Sequence, residues 1–357
     1  KEGPIMWDQL KSSLQVQTFL SGLCVIIVFF IFAPIVGNFF GLFVAFLTAI
    51  SPHLIAINIY LLTESLFCFL LFSWLLLLGK TNEKTPLSFL FLCGSILAAS
   101  MLTRAWIQYF IFFLIPVLVW GINNPLFHKK GKAIAFALGY GLVFSIWLGR
   151  NYMVLGASGD STLMLATLQG GMYPDMMYKF MPESYGVAYR FDPDTSSITS
   201  SLSSFFMTLW LRIVMDPWTY LKWYFYGKAE MVLSWDIIAG YGDVFVYPII
   251  KTPYQEPGLF GVTHYIMKLI HLPLNVLACM GTIVAWLPCS AGIKNESSLW
   301  FIKVLGLLFI YFILLHMVAS PYPRYSIPIR PLSYGLAIYM ISFLLEWFQV
   351  WRIKRMT

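Results

Sequence analysis

Two runs constrain this chain more than any other feature: "LQVQTFLSGLCVIIVFFIFA" at 14–33 and "WFIKVLGLLFIYFILLHMVA" at 300–319. An α-helix needs about 20 apolar residues to cross the roughly 30 Å hydrocarbon core of a bilayer. In lipid a backbone must satisfy its own hydrogen bonds, which leaves helices or closed barrels. Continuous apolar runs select the helix, because a barrel strand would alternate. Charged residues make up only 11% of the chain and hydrophobic ones 59%, against about 25% charged in a soluble domain. The fold class that follows is an all-α polytopic membrane protein.

Nine crossings are read at 14–33, 39–58, 61–79, 87–103, 105–121, 132–149, 265–288, 299–318 and 331–350. Basic residues in short loops set the orientation. Lys80 and Lys84, then Lys129, Lys130 and Lys132, then Lys294, and finally Arg352, Lys354 and Arg355 all fall on one side, taken as cytoplasmic. These loops account for the net charge of +7, so no nucleic-acid partner is inferred. The chain divides into membrane helices at 1–149, an extracytoplasmic segment at 150–264 and membrane helices at 265–357. The middle segment holds ten of the sixteen acidic residues, and "DPWTYLKWYFYGKAEMVLSW" at 216–235 reads as a helix lying in the interface. The chain opens at Lys1 with no signal-peptide pattern before the first run, so an upstream segment is expected.

Cys24, Cys68, Cys93, Cys279 and Cys289 lie in or beside apolar runs. Neither a disulfide framework nor a zinc site is indicated. No Walker loop, GxGxxG, HExxH or GxSxG in a strand–helix context is present.

Ionisable residues at membrane helices are costly and mark candidate sites. Glu64 reads either as a carboxylate solvated at the interface or as an acid facing an extracytoplasmic cavity. Arg104 reads either as a snorkelling anchor or as a planar donor fork for a phosphate. Arg150 fits an anchor where the sixth run ends. "SPYPRYSIPIRP" at 320–331 holds four prolines, two arginines and two tyrosines. Its prolines fix φ and remove N–H donors, so it reads as a stiff turn that cannot be helix. It would hold Arg324 and Tyr325 on the outer face, with Arg330 as a plain anchor. His316 reads as a hydrogen-bonded helix residue, and Glu346 as a partner of the basic tail. Asn295 opens a glycosylation sequon that this topology makes cytoplasmic and silent.

"FVAFLTAISPHLIAINIYLLTESLFCFLLFSWLLLL", "GSILAASMLTRAWIQYFIFFLIPVLVW", "FSIWLGRNYMVLG" and "SPYPRYSIPIRPLSYGL" follow one another in this order. Together they resemble the membrane core of GT-C glycosyltransferases of the family-39-like, protein-mannosyltransferase type. Lipid A aminoarabinose transferases are more distant relatives. The resemblance implies transfer of a sugar from a polyprenyl- or dolichyl-phosphate carrier to a glycan, lipid or protein acceptor at the outer face of a bacterial inner membrane. By the same resemblance Glu64 matches an acidic position, Arg104 a basic position near the carrier phosphate, and Arg324 to Pro328 a late motif lining the same cavity. Arg150 is carried over with them. A divalent metal is left open by the family. Its catalytic aspartate is expected upstream of Lys1, so the catalytic residue is unassigned and this chain alone would lack it; Asp8 is a poor substitute. Two other readings stay open: an O-antigen polymerase or ligase, and a transporter or flippase of lipid-linked sugars.

Overall fold

The computed structural model describes residues 4–121, 130–159, 161–287 and 296–356. Lys1, Lys129, Cys289, Lys294 and Asn295 lie outside the described residues. Every regular element described is helical, with a lone bridge between Gly242 and Phe245. In chain order the α-helices are α1 (Pro4–Val36), α2 (Asn38–Ala49), α3 (Pro52–Ala56), α4 (Glu64–Gly79), α5 (Leu87–Thr103), α6 (Phe110–Pro116) and α7 (Lys130–Leu155). There follow α8 (Ser161–Gly170), α9 (Thr195–Ile198), α10 (Leu202–Met215), α11 (Pro217–Lys222) and α12 (Lys228–Val232). The chain ends with α13 (Leu259–Trp286), α14 (Glu296–Val318) and α15 (Arg330–Met356).

Among the described residues five stretches are long and apolar enough to cross a membrane: Leu10–Val36, Gly131–Leu155, Leu259–Trp286, Leu299–Val318 and Pro323–Arg352. A sixth is counted if α2 and the stretch Pro52–Ile59 form one span bent by 49°. The long apolar helices are compatible with an integral membrane protein. Where they are described, the nine apolar runs read from the sequence are largely helical, but Ala105–Val119 is short and α4 and α5 have only 16 and 17 residues. At 1.5 Å per residue a 16-residue helix is about 24 Å long, short of the hydrocarbon thickness. An apolar run therefore fixes that a helix forms without fixing that it crosses.

The bend between α2 and α3 has a local cause. Ser51 precedes Pro52 and is extended (φ −65°, ψ 113°), as the proline ring demands of its predecessor. Pro52 then takes the first turn of α3, where its missing N–H costs nothing.

The chain forms two compact units. The first comprises 1–146, 252–310 and 328–357. Its innermost helix is α15, with 89% of its apolar window buried against α13, α2 and α1. Helices α5 and α7 approach closely through small residues, as membrane helices do. A methyl group built on Gly94 would lie 2.0 Å from the Phe136 carbonyl oxygen, and one on Gly139 would lie 1.9 Å from that of Phe91. The Ser95 hydroxyl, placed by the same contact, donates to the Gly139 carbonyl at 3.2 Å. Lys132, expected as a solvated loop charge, is instead 5% exposed. Its ammonium donates to the Asn82 and Glu83 carbonyls at 3.1 and 2.8 Å. The start of α7 is thereby tied to the loop between α4 and α5.

The second unit comprises 147–251 and 311–327. Its interior is aromatic, with Met172, Tyr173, Ile198, Phe205 and Tyr220 packed in one cluster. The segment 320–331 departs from the expected non-helical turn. Residues Pro323–Ile329 form a 3-10 helix that runs into α15. Proline's φ near −65° suits 3-10 geometry, and Pro331 is the second residue of α15.

The contact between α5 and α7 makes a prediction. Gly139→Ala should destabilise the protein by about 1–3 kcal/mol through overpacking. Gly141→Ala, two residues away with nothing within 4 Å of an added methyl, should be neutral or mildly stabilising. Thermal melts of the two purified variants in one detergent check it.

Candidate functional site

In the first unit Glu64 is the first residue of α4, where a carboxylate is favoured by the helix dipole. Arg104 follows the last residue of α5, with its backbone turned to an extended conformation (φ −148°, ψ 115°). The two side chains form a direct ion pair, 1% and 12% exposed respectively. Phe67, one turn into α4, meets Trp106 edge-on at 5.2 Å and closes the apolar wall beside the pair. Two opposite charges taken out of water must neutralise each other, and removing one partner of such a pair typically costs about 3–5 kcal/mol. The sequence offered Glu64 and Arg104 as separate ligand groups. The structure makes them one neutral unit, in which the carboxylate orients the guanidinium.

The segment carrying Glu64 is flanked by two hollows against the first half of α1. One, of about 590 Å³, is lined by Lys11, Gln15, Thr18 and Asn58 together with Leu10, Leu14 and Ile59. The other, of about 500 Å³, combines Ser12, Ser13, Gln17 and Thr63 with apolar residues that include Val16, Leu61 and Leu66. Hydrogen bonds shape this wall. The Gln17 amide donates to the Leu62 carbonyl at 2.6 Å, and the Ser65 hydroxyl donates to the Asn58 side-chain oxygen at 2.7 Å. Both hollows are amphipathic, with hydroxyl and amide groups set into a greasy lining.

Arg330 corrects the sequence reading. A plain anchor would reach out to lipid headgroups, yet Arg330 is 3% exposed at the first position of the innermost helix. Its guanidinium donates to His53 Nδ1 at 3.0 Å. An arginine cannot accept a hydrogen bond, so Nδ1 accepts and a neutral His53 carries its proton on Nε2. Tyr334, one turn further along α15, lies beside the same guanidinium, and its hydroxyl lies 3.0 Å from the Ser51 hydroxyl. Ser51 and His53 come from the bend between α2 and α3. Sequence spacing could not show this, because the two halves of the network lie 277 residues apart.

Arg150, Arg324 and Tyr325 belong to the second unit. Arg150 is exposed at the end of α7 and donates to the Asn151 side-chain oxygen at 3.0 Å. Arg324 and Tyr325 lie in the 3-10 helix, partly exposed. The Tyr325 ring packs on Tyr322 at 5.7 Å and on His316 at 5.6 Å. His316 Nδ1 donates to the Phe312 carbonyl at 2.8 Å, an ordinary bond one turn back along its own helix. In the first unit, Glu346 accepts from Ser342 at 3.2 Å. The structure thus brings Glu64 and Arg104 together and places Arg324 beside Tyr325.

The second unit has a polar core of its own that the sequence did not signal. Arg212 and Tyr173 both donate to Asp192 Oδ2, at 2.6 and 2.7 Å. Burial pushes the Asp192 carboxyl up, but the bonds from Arg212, Tyr173 and the Asp194 backbone N–H outweigh it and hold it below its usual value. Lys228 is fully buried beside the Tyr224 ring, at 3.7 Å from its centroid. Its ammonium donates to the Val318 and Ala319 carbonyls at 3.3 and 3.0 Å. That caps the C-terminus of α14 with a positive charge, the sign the helix dipole favours. Burial holds the Lys228 ammonium well below its usual range.

Among the described residues no three His, Cys, Asp or Glu side chains gather as a metal ion would need, and no ligand set is assigned. No protein-family model, characterised protein or solved structure matches this chain.

The polar core of the second unit predicts an acid response. A carboxyl held low in the fold stabilises it above the unfolded carboxylate range, near pH 4, and that contribution is lost as pH falls through the depressed folded value. Amide hydrogen exchange of the segment 188–212 should therefore accelerate as pH drops below about 4, after correction for intrinsic rates. Asp192→Asn should raise exchange at neutral pH by on the order of 2 kcal/mol of lost protection and flatten the acid response.

Proposed function

We propose that this protein is an integral-membrane glycosyltransferase that takes a sugar from a polyprenyl-phosphate carrier and passes it to an acceptor at the extracytoplasmic face. One observation carries the reading furthest. Thr63 and Leu66, on either side of the Arg104-paired Glu64, line a hollow that joins hydroxyl and amide groups to an apolar lining. A lipid-linked sugar has the same dual character: a polar head that hydrogen-bonds and a hydrocarbon tail that avoids water. Arg104 would face the carrier phosphate, and Glu64 would hold its guanidinium in a fixed orientation. Arg330 joins these as a second cation, kept in place by His53 and Tyr334. Cations oriented in advance stabilise a departing phosphate without reorganising as charge develops. The resemblance of four ordered segments to GT-C enzymes points the same way. On this reading the shorter helices α4 and α5, with Ala105–Val119, complete nine crossings. The segment 150–264 then faces outward with Arg150, Arg324 and Tyr325.

A second reading has one specific observation in its favour. Transporters place polar groups at the breaks of discontinuous membrane helices, and the α2–α3 bend carries Ser51 and His53. Such a protein would move a lipid-linked sugar without making a glycosidic bond.

One experiment separates the two. The full-length protein is reconstituted in liposomes with a radiolabelled polyprenyl-phosphate sugar and a membrane extract as acceptor. Transfer should appear as a new glycosidic product. Arg104→Lys keeps the charge and its attraction to Glu64 but loses the planar fork, and should lower the transfer rate by about 100-fold or more with little change in melting temperature. Label that crosses the bilayer with no new glycosidic bond supports transport instead. Unchanged transfer by Arg104→Lys contradicts the role given to Arg104.

A further inference from the structure

The second unit carries an apolar stripe on its outside. Phe206, Trp210, Val214 and Trp218 recur every four residues along α10 and α11, and Phe225 continues the stripe in the π-helical turn that follows. Their exposures are 58, 62, 59, 81 and 72%. The neighbouring face of the same helices, about 100° round, is also apolar. Phe205, Leu209, Ile213 and Tyr220 pack into the aromatic core. A helix with its back to a core and its front to water should be polar in front. Contiguous exposed apolar surface of this kind marks a contact with another phase or partner.

Two features identify what covers it. The unit itself contains the last turns of α7 and α14, both in stretches long and apolar enough to cross a membrane. The end of α7 presents Tyr152, Met153 and Leu155 at 71, 86 and 61% exposure. Segments that leave the bilayer are thus part of the unit, and lipid is the apolar phase continuous with it. The composition of the stripe agrees. Tryptophan favours the headgroup boundary, and an exposed lysine, Lys222, sits beside the stripe to meet lipid phosphates.

We propose that the Phe206–Phe225 face of α10, α11 and the following turn is a membrane-docking surface, lying in the bilayer plane with its aromatic side among the headgroups. This face shares Trp218 and Phe225 with the segment 216–235 singled out by sequence and extends it back to Phe206. Within that segment Trp223, Lys228 and Trp235 are buried. The docking surface is independent of the chemistry proposed for the first unit.

Photocrosslinking tests it in the full chain, reconstituted in phosphatidylcholine–phosphatidylglycerol liposomes. p-Benzoylphenylalanine replaces Trp210 or Trp218 in separate variants, with Phe30 of α1 and the exposed Glu183 as references. Both test sites exchange one exposed aromatic for another, so either alone decides the question if the other folds poorly. The expected result is phospholipid adducts at 210 and 218 in yields comparable with Phe30 and well above Glu183. Adducts to a second copy of the chain, or yields no higher than at Glu183, overturn the proposal.

Discussion

Arg330 occupies the first position of the helix that the rest of the first unit surrounds, and its guanidinium is buried. A charge in that place is tolerable only if the chain supplies the hydrogen bonds that water would have made. His53 supplies one of them directly, while Ser51 bonds the neighbouring Tyr334 hydroxyl, and both Ser51 and His53 are brought there by the bend of α2 and α3 at Ser51–Pro52. The bend, the start of α15 and the packing of α13, α2 and α1 around α15 are therefore one problem solved together. The Glu64–Arg104 pair solves a smaller version of it by local neutralisation.

The same rule operates in the second unit with different residues. Asp192 gathers Arg212 and Tyr173, while Lys228 is spent on two helix-terminal carbonyls. Neither arrangement leaves an ionised group open to a ligand, so both read as supports for the fold. The unit's outward character lies in its aromatic stripe. In both units these buried ionisable groups are held by other groups of the chain.

Helix positions were legible in the sequence because long apolar runs have few other solutions. The residues 14–33 and 299–318 became helices of spanning length. Crossing number was less legible, since α4 and α5 are as apolar as the long helices but shorter. Of the candidate site, Glu64 and Arg104 were visible as ionisable residues among apolar ones. Their pairing was not, because it depends on where two helix ends meet. Arg330 was misjudged for a physical reason: an arginine beside prolines at a helix start looks like an anchor unless the neighbouring bend is known. His53 gave no signal, because one histidine after a proline is unremarkable until its partner is located.

The proposed transfer requires that the protein recognise a phosphate joined to a hydrocarbon chain. Melting of the purified full-length protein with polyprenyl phosphate, compared with the matching polyprenol, tests that recognition without requiring turnover. The account predicts that the phosphate-bearing lipid raises the melting temperature in a saturable way while the alcohol leaves it nearly unchanged. Equal effects from both lipids, or none from either, would contradict it.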